Sequence, residues 1–191
     1  MKLFPNNIYH IYNRGNNKQI IFFSRENYLY FLQKVRKQIK PFVEIMAYCL
    51  MPNHFHLLVF SPVSFDSKEF ADKFKILLSS YTRAVNKQQK NTGSLFQQHS
   101  RAKCLSYESK SDTDYGLICF NYIHQNPYLA GLVKKIEDWE FSSIRDYLGL
   151  RNGTLCNKEF SIKTLGLPLS VKELYKLSYN NINRKKIELI I

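Results

Sequence analysis

No stretch of this 191-residue chain is apolar for long enough to cross a bilayer. Its first residues lack the basic segment and apolar run of an export signal. Close cysteine pairs are missing too. Cys49, Cys104, Cys119 and Cys156 are scattered, without the spacing of a zinc ribbon. Cys49 and Cys119 sit in apolar strand and helix patterns, where a buried free thiol is the ordinary outcome, and the compartment this points to is a reducing cytoplasm. No internal repeat is present. Acidic residues are scarce: 15 Asp and Glu stand against 28 Lys and Arg, for a net charge of +13. Such an excess favours a polyanionic partner, either nucleic acid or an anionic membrane. No helix reads as a basic amphipathic membrane binder, so nucleic acid leads.

What the chain does have is a hydrophobic fraction of 45%, enough for a globular core and too much for global disorder. Thirteen Tyr and fourteen Phe accompany the positive charge. Aromatics beside cations suit stacking on unpaired bases, although most such rings in any protein belong to its core.

Local patterns give an order of elements. Ile8 to Gly15 alternates and ends in a glycine turn, as a first strand would. Ser24 is placed to cap a helix with the stripe Tyr28, Leu32, Val35 and Ile39, ended by Pro41. Phe42–Leu50 and Phe55–Phe60 read as strands joined by the turn Met51-Pro52-Asn53. Asp66-x-x-Glu69 opens a long helix whose apolar face is Phe70, Phe74, Leu77, Tyr81 and Val85, while Lys73, Arg83, Lys87 and Lys90 occupy its other face and end. After Thr92-Gly93, residues 94–105 read as an irregular strand and 106–111 as a polar loop. A further helix runs from about Asp112 to Asn126, where Pro127 disfavours continuation. Trp139 and Phe141 precede a short helix capped by Ser142 or Ser143 and ending at Gly149. Beyond Arg151 the pattern weakens into a basic extension with one helix, Ser170 to Leu177. The tight hairpin at 51–53 requires antiparallel pairing, so the fold class is α+β. The expected division is a domain over 1–150 and an extension over 151–191.

The chemistry concentrates in Tyr48-Cys49-Leu50-Met51-Pro52-Asn53-His54-Phe55-His56-Leu57-Leu58-Val59. Residues i and i+2 of a strand share a face, so His54 and His56 project together while Phe55 turns to the core. Two convergent imidazoles can hold one metal ion, act together on one phosphate, or serve structure alone. Histidine-triad nucleotide hydrolases need a third His two positions on, where this chain has Leu58. Two-His phosphoesterases need two separated His-x-Ser/Thr motifs, which His99-Ser100-Arg101 and His124-Gln125-Asn126 do not supply. On the helix 112–126, Tyr115, Cys119, Tyr122 and Asn126 form one stripe. If that helix packs across the His strand, three potential ligands and one nucleophile converge. A metal ion polarising a phosphate would let the phenol attack it. The bland reading makes Tyr122 a core aromatic and Asn126 a helix cap.

The His-containing run, with Tyr122-Ile123-His124-Gln125-Asn126-Pro127 and Ala130-Gly131-Leu132-Val133, resembles the single-tyrosine HUH transposases, and among them the bacterial REP-associated tyrosine transposases. Tyr9 to Gly15, Gly93 to Gln97 and Phe141 to Tyr147 extend the likeness over about residues 8 to 149. The resemblance implies a ferredoxin-like antiparallel sheet flanked by helices, with His54, His56 and Asn126 as metal ligands and Tyr122 as nucleophile. Position 126 departs from relatives that use glutamine there. His124 projects about 160° from Asn126 around a regular helix, toward packing or DNA. The implied activity is cleavage and rejoining of single-stranded or hairpin DNA through a 5′-phosphotyrosine, with Mg²⁺ or Mn²⁺, by a monomer or homodimer. Arg14, Arg83, Lys87, Arg101 and Lys103 are the expected DNA-backbone contacts. A domesticated, replication or mobilisation nickase would share this chemistry, and a non-catalytic hairpin-binding protein is the further alternative.

Overall fold

The computed structural model describes residues 2–106 and 115–191. Four strands, β1 (Asn7–Arg14), β2 (Glu44–Met51), β3 (His54–Ser61) and β4 (Arg101–Cys104), form one antiparallel sheet in the order β2-β3-β1-β4. Helix α1 (Arg25–Gln38) connects β1 to β2, and α2 (Ser67–Gln89) leads from β3 toward β4. This is the ferredoxin-like order, with β3 and β1 in the middle of the sheet.

Strand alternation divides the sheet into two faces. Phe55 turns to one of them and meets Phe31 of α1 and Phe74 of α2, at ring-centroid distances of 5.0 and 6.4 Å. The α2 stripe Phe70, Phe74, Leu77, Tyr81 and Val85 is buried as the spacing predicts. Asp66 caps that helix, accepting from the backbone N–H groups of Lys68 and Glu69. In α1 the buried stripe includes Phe31, while Leu32 of the expected set is only half-buried.

The opposite face is covered by α3 (Tyr115–Leu129), which lies across β2 and β3. Its expected start at Asp112 lies outside the described residues, as do residues 107–111 of the expected loop. Its end corrects the expectation of a stop at Asn126. Pro127 is buried inside the helix, which runs on to Leu129, and Gly131 just beyond it has a φ of +69°. Proline deletes one backbone hydrogen bond, and packing against the sheet outweighs that loss. The last turn is closed by Ala130 N–H to Asn126 O and Leu132 N–H to Pro127 O.

The expected strand over 94–105 shrinks to β4. Upstream of it, Phe96 makes only an isolated bridge to Gly15, and the close approach of the Gln19 carbonyl to Gly15 leaves no room there for a side chain. Residues 141–143 cover the β2 edge, with Leu50 N–H donating to Phe141 O and Ser143 N–H to Tyr48 O. The short helix α4 (Ile144–Tyr147) follows, with Ser143 at its N-cap position. The Ser143 hydroxyl is engaged by Tyr48 instead of capping the helix.

Residues 151–191 carry more helix than their pattern suggested: α5 (Lys158–Leu165), α6 (Val171–Ser178, close to the expected 170–177) and α7 (Arg184–Ile190). Helix α5 packs on β2, and α6 and α7 pack on α3. Short helices with few periodic positions leave little trace in a sequence. Among the described residues no helix is long and apolar enough to cross a membrane.

Candidate active site

Strand register builds the site. Cross-strand partners in an antiparallel sheet project to the same face. His56 pairs with Cys49 on β2 and Tyr12 on β1, and Tyr12 pairs with Arg101 on β4. One row therefore reads Cys49, His56, Tyr12, Arg101. The next row toward the hairpin places Met51, His54 and Arg14 side by side. On the other side stand Leu58, His10 and Lys103. Three imidazoles, one phenol and three cations thus share the face that α3 covers.

The two expected histidines meet edge to face, with ring centroids 4.9 Å apart. His54 is half-buried and its Nδ1 lies 2.6 Å from Asn53 Oδ1. His56 is buried, and its Nδ1 lies 2.9 Å from His10 Nε2. The other nitrogen of His56, Nε2, is buried without a hydrogen-bond partner. Burial pushes the pKa of His54 down to about 4, with the Arg14 charge adding to the effect. His56 is held well below its ordinary value by burial and by the neighbouring His10 and His54. Both rings are neutral near pH 7, the form that offers a lone pair to a metal ion.

Helix α3 brings Tyr122 to the pair, its ring 5.6 Å from that of His56 and 6.1 Å from that of His10. Burial raises the Tyr122 pKa and Cys119 adds to the rise, while the Asn126 side chain opposes it. Asn126 donates through Nδ2 to the Tyr122 carbonyl at 3.0 Å, which leaves its Oδ1 as an acceptor. The adjacent Gln125 does not substitute for it, because its Nε2 donates to the carbonyls of Ser178 and Asn180 at 2.9 and 2.8 Å. Tyr115 is half-buried at the start of α3. His124 points into the packing: it is fully buried with Nε2 2.8 Å from the Ser143 hydroxyl.

The residues present fit a divalent cation. A buried imidazole nitrogen left without a partner costs stability unless something occupies it, and His54 stands beside it. Among the described residues no group of three or more His, Cys, Asp or Glu side chains is arranged to hold a metal. A third donor would therefore be of another kind, and the Asn126 amide oxygen is of that kind.

Beside the site lies a cavity of about 330 Å³ lined by Tyr12, Asn13, Arg14, Gln97, His99, Arg101 and Ile191. Arg14 and Arg101 are exposed at this cavity, one and two strands from the His strand β3 respectively. Lys103 is half-buried on the same face. Arg83 and Lys87 are exposed on α2, in the layer on the other side of the sheet. His10 and Tyr12 join the site without having been among the residues expected from the sequence. Their alternation with Arg14 along β1 was visible, but the register that sets them beside His56 was not.

A family model described as "Transposase IS200 like" matches residues 4–126. The chain belongs to that family. The match ends at Asn126, so it includes the His pair, the first strand and Tyr122. A provisionally named REP-associated tyrosine transposase of Haemophilus influenzae is 28% identical over 108 residues, covering 54% of this chain and 59% of that protein. The chain thus spans less than two thirds of that relative's length. A solved structure described as a REP-associated tyrosine transposase bound to a REP hairpin aligns with a TM-score of 0.56 at 20% identity. That alignment covers 79% of this chain and 85% of the other, and it is a likeness of fold. Within this family frame, the ferredoxin-like sheet expected from the sequence is the sheet observed.

Proposed function

We propose that this chain is a metal-dependent single-strand DNA endonuclease and strand-transferase, a transposase that acts on hairpin-bearing DNA through Tyr122. The observation that carries the reading is the packing of Tyr122, from the helix layer, against the His56 ring on a central strand. Membership of the IS200-like family supports it, and the hairpin-bound relative supports hairpin DNA as the substrate form. His54, His56 and the Asn126 amide oxygen would hold Mg²⁺ or Mn²⁺, which when bound supplies charge to polarise the scissile phosphate.

The remaining work belongs to the chain. The Tyr122 Oη bonds to phosphorus as the P–O3′ bond breaks, and the proton given up by the phenol is balanced by one taken up on the leaving 3′-oxygen, leaving a free 3′-OH and a 5′-phosphotyrosine. Attack by another 3′-OH reverses the exchange. One phosphodiester is consumed and one is made, so no external energy is needed. Asn126 lies beside the phenol, where its amide favours the phenolate against the effect of burial. Arg14, Arg101 and Lys103 share the face of the His pair and would track the DNA backbone. Arg83 and Lys87 would reach only DNA that passes around to the α2 layer. The four free cysteines suit a reducing compartment, the cytoplasm. Residues 1–150 would carry the catalytic domain and 151–191 its extension.

The test is incubation of the protein and Mn²⁺ or Mg²⁺ with a single strand bearing a palindromic hairpin, and with the fully paired duplex of the same sequence. The hairpin strand is expected to be cut and the duplex left intact. Equal cutting of both would reject the substrate assignment.

A further inference from the structure

Each histidine of the pair has its Nδ1 committed to a neighbour, and that neighbour decides what Nε2 can do. At His54 the arrangement is local. Asn53 Nδ2 donates to the Lys18 carbonyl at 3.2 Å, which fixes the amide's orientation and turns Oδ1 toward His54. An amide oxygen only accepts, so His54 carries its proton on Nδ1 and a lone pair on Nε2.

At His56 the arrangement runs through a second imidazole. His10 is fully buried, where an unpaired charge is costly. Its Nδ1 lies 2.6 Å from the Ile190 carbonyl, which also can only accept, so the His10 proton sits on Nδ1. Nε2 of His10 is then an acceptor, and the 2.9 Å contact has His56 Nδ1–H donating to it. What remains is His56 Nε2, a lone pair on the buried nitrogen that has no partner. The two nitrogens therefore end in the same state by different routes.

The geometry points to His10 as a positioning residue: it accepts the His56 Nδ1 proton and so presents His56 Nε2, as a lone pair, to the divalent ion. This rests on the metal reading of the proposed function. The chain of contacts is Ile190 carbonyl, His10 and His56, so helix α7 of the 151–191 segment supports the site through its own backbone. Partners of this kind fix the tautomer and ring orientation of ligating histidines, and their loss weakens metal binding by about 10- to 100-fold.

Long-range ¹⁵N NMR of the histidine rings in the full-length, metal-free wild type reads the tautomers directly. The His56 signals, assigned with His56→Ala, are expected to show a protonated Nδ1 and a bare Nε2. Protonation on Nε2 would overturn the proposal. Mn²⁺ titration followed by EPR supplies a second readout. His10→Leu is expected to bind Mn²⁺ about 10- to 100-fold more weakly than wild type. His10→Gln, whose Oε1 can accept from His56 Nδ1–H, should recover most of that loss. A folded His10→Leu with wild-type Mn²⁺ affinity would overturn the proposal, and should that variant fail to fold, the wild-type nitrogen spectrum decides alone. Unchanged Mn²⁺ binding in both His54→Ala and His56→Ala would instead remove the metal reading, and the tautomer at His56 would still stand or fall on its spectrum.

Discussion

Tyr122 and Tyr12 stand at nearly equal distances from His56, with ring centroids at 5.6 and 5.9 Å. Distance alone does not choose between them, but the layers do. Tyr12 rises from the same sheet surface as the imidazoles, whereas Tyr122 descends on them from α3, so only Tyr122 can oppose a phosphate seated on the histidines. Burial raises the pKa of Tyr12, with Arg101 and Arg14 pulling the other way, which suits a phenol that contacts a phosphate held by those cations. Tyr12→Phe is therefore expected to retain covalent chemistry with weakened DNA binding, checked by gel shift beside a cleavage assay; loss of the adduct with binding intact would reverse the two roles. His54→Ala and chelation of wild type with EDTA should each abolish cleavage, and cleavage that persisted in EDTA would argue for direct phosphate contact by the imidazoles. Spacing in the sequence puts His54 and His56 on one strand face and Tyr122 and Asn126 on one helix face, but it leaves a purely structural role open for each, and it is the family resemblance that singles them out as ligands and nucleophile. His10 was not legible. Its role depends on the β1–β3 register and on a carbonyl 180 residues away in sequence, and no local pattern encodes either.

At the scale of elements, α2 and its Asp66 cap are legible in the sequence, because a long amphipathic helix repeats its signal over many turns. Asp66→Ala is expected to lower unfolding stability by about 1 kcal/mol in a denaturant titration, since two backbone N–H groups lose their acceptor. Helix α3 runs past its expected end because the local cost of Pro127 is visible in the sequence and its compensation by packing on the sheet is not. The strap over the β2 edge was equally hidden. It is pinned by Arg151, which bonds Asp146, the Glu140 and Ser142 carbonyls and the Tyr48 hydroxyl. The Asp146 side chain is only 1% exposed. Arg151→Met should therefore cost about 3 kcal/mol, near the low end for a broken buried pair, because Gly153 N–H still reaches the carboxylate. A change below about 0.5 kcal/mol, the scale of an ordinary surface substitution, would show that the strap does not depend on this ion pair.

For the whole molecule, the net charge of +13 pointed to a polyanion but not to a face. The fold divides the five expected DNA-contact cations between two layers: Arg14, Arg101 and Lys103 lie with the histidines, and Arg83 and Lys87 on α2. Neutralising Arg14 or Arg101 should weaken DNA binding at every sequence and reduce the slope of log affinity against log salt by about 0.7 to 0.9. Arg83→Ala and Lys87→Ala should change it less, and the opposite ranking would mean that the DNA path runs over α2. The sequence also implied the order of strands and helices well, since each element has its own periodicity, whereas α5 and α7 were too short to announce themselves. The central claim is that Tyr122 is the nucleophile of a metal-assisted cut in hairpin-bearing single-stranded DNA. It is tested most directly by trapping the protein on such a strand with Mn²⁺, digesting the denatured adduct and locating the nucleotide by mass spectrometry. The account predicts a 5′-phosphate on Tyr122 and no adduct from Tyr122→Phe. A nucleotide on Tyr12 or Tyr115, or an adduct that survives in Tyr122→Phe, would contradict it.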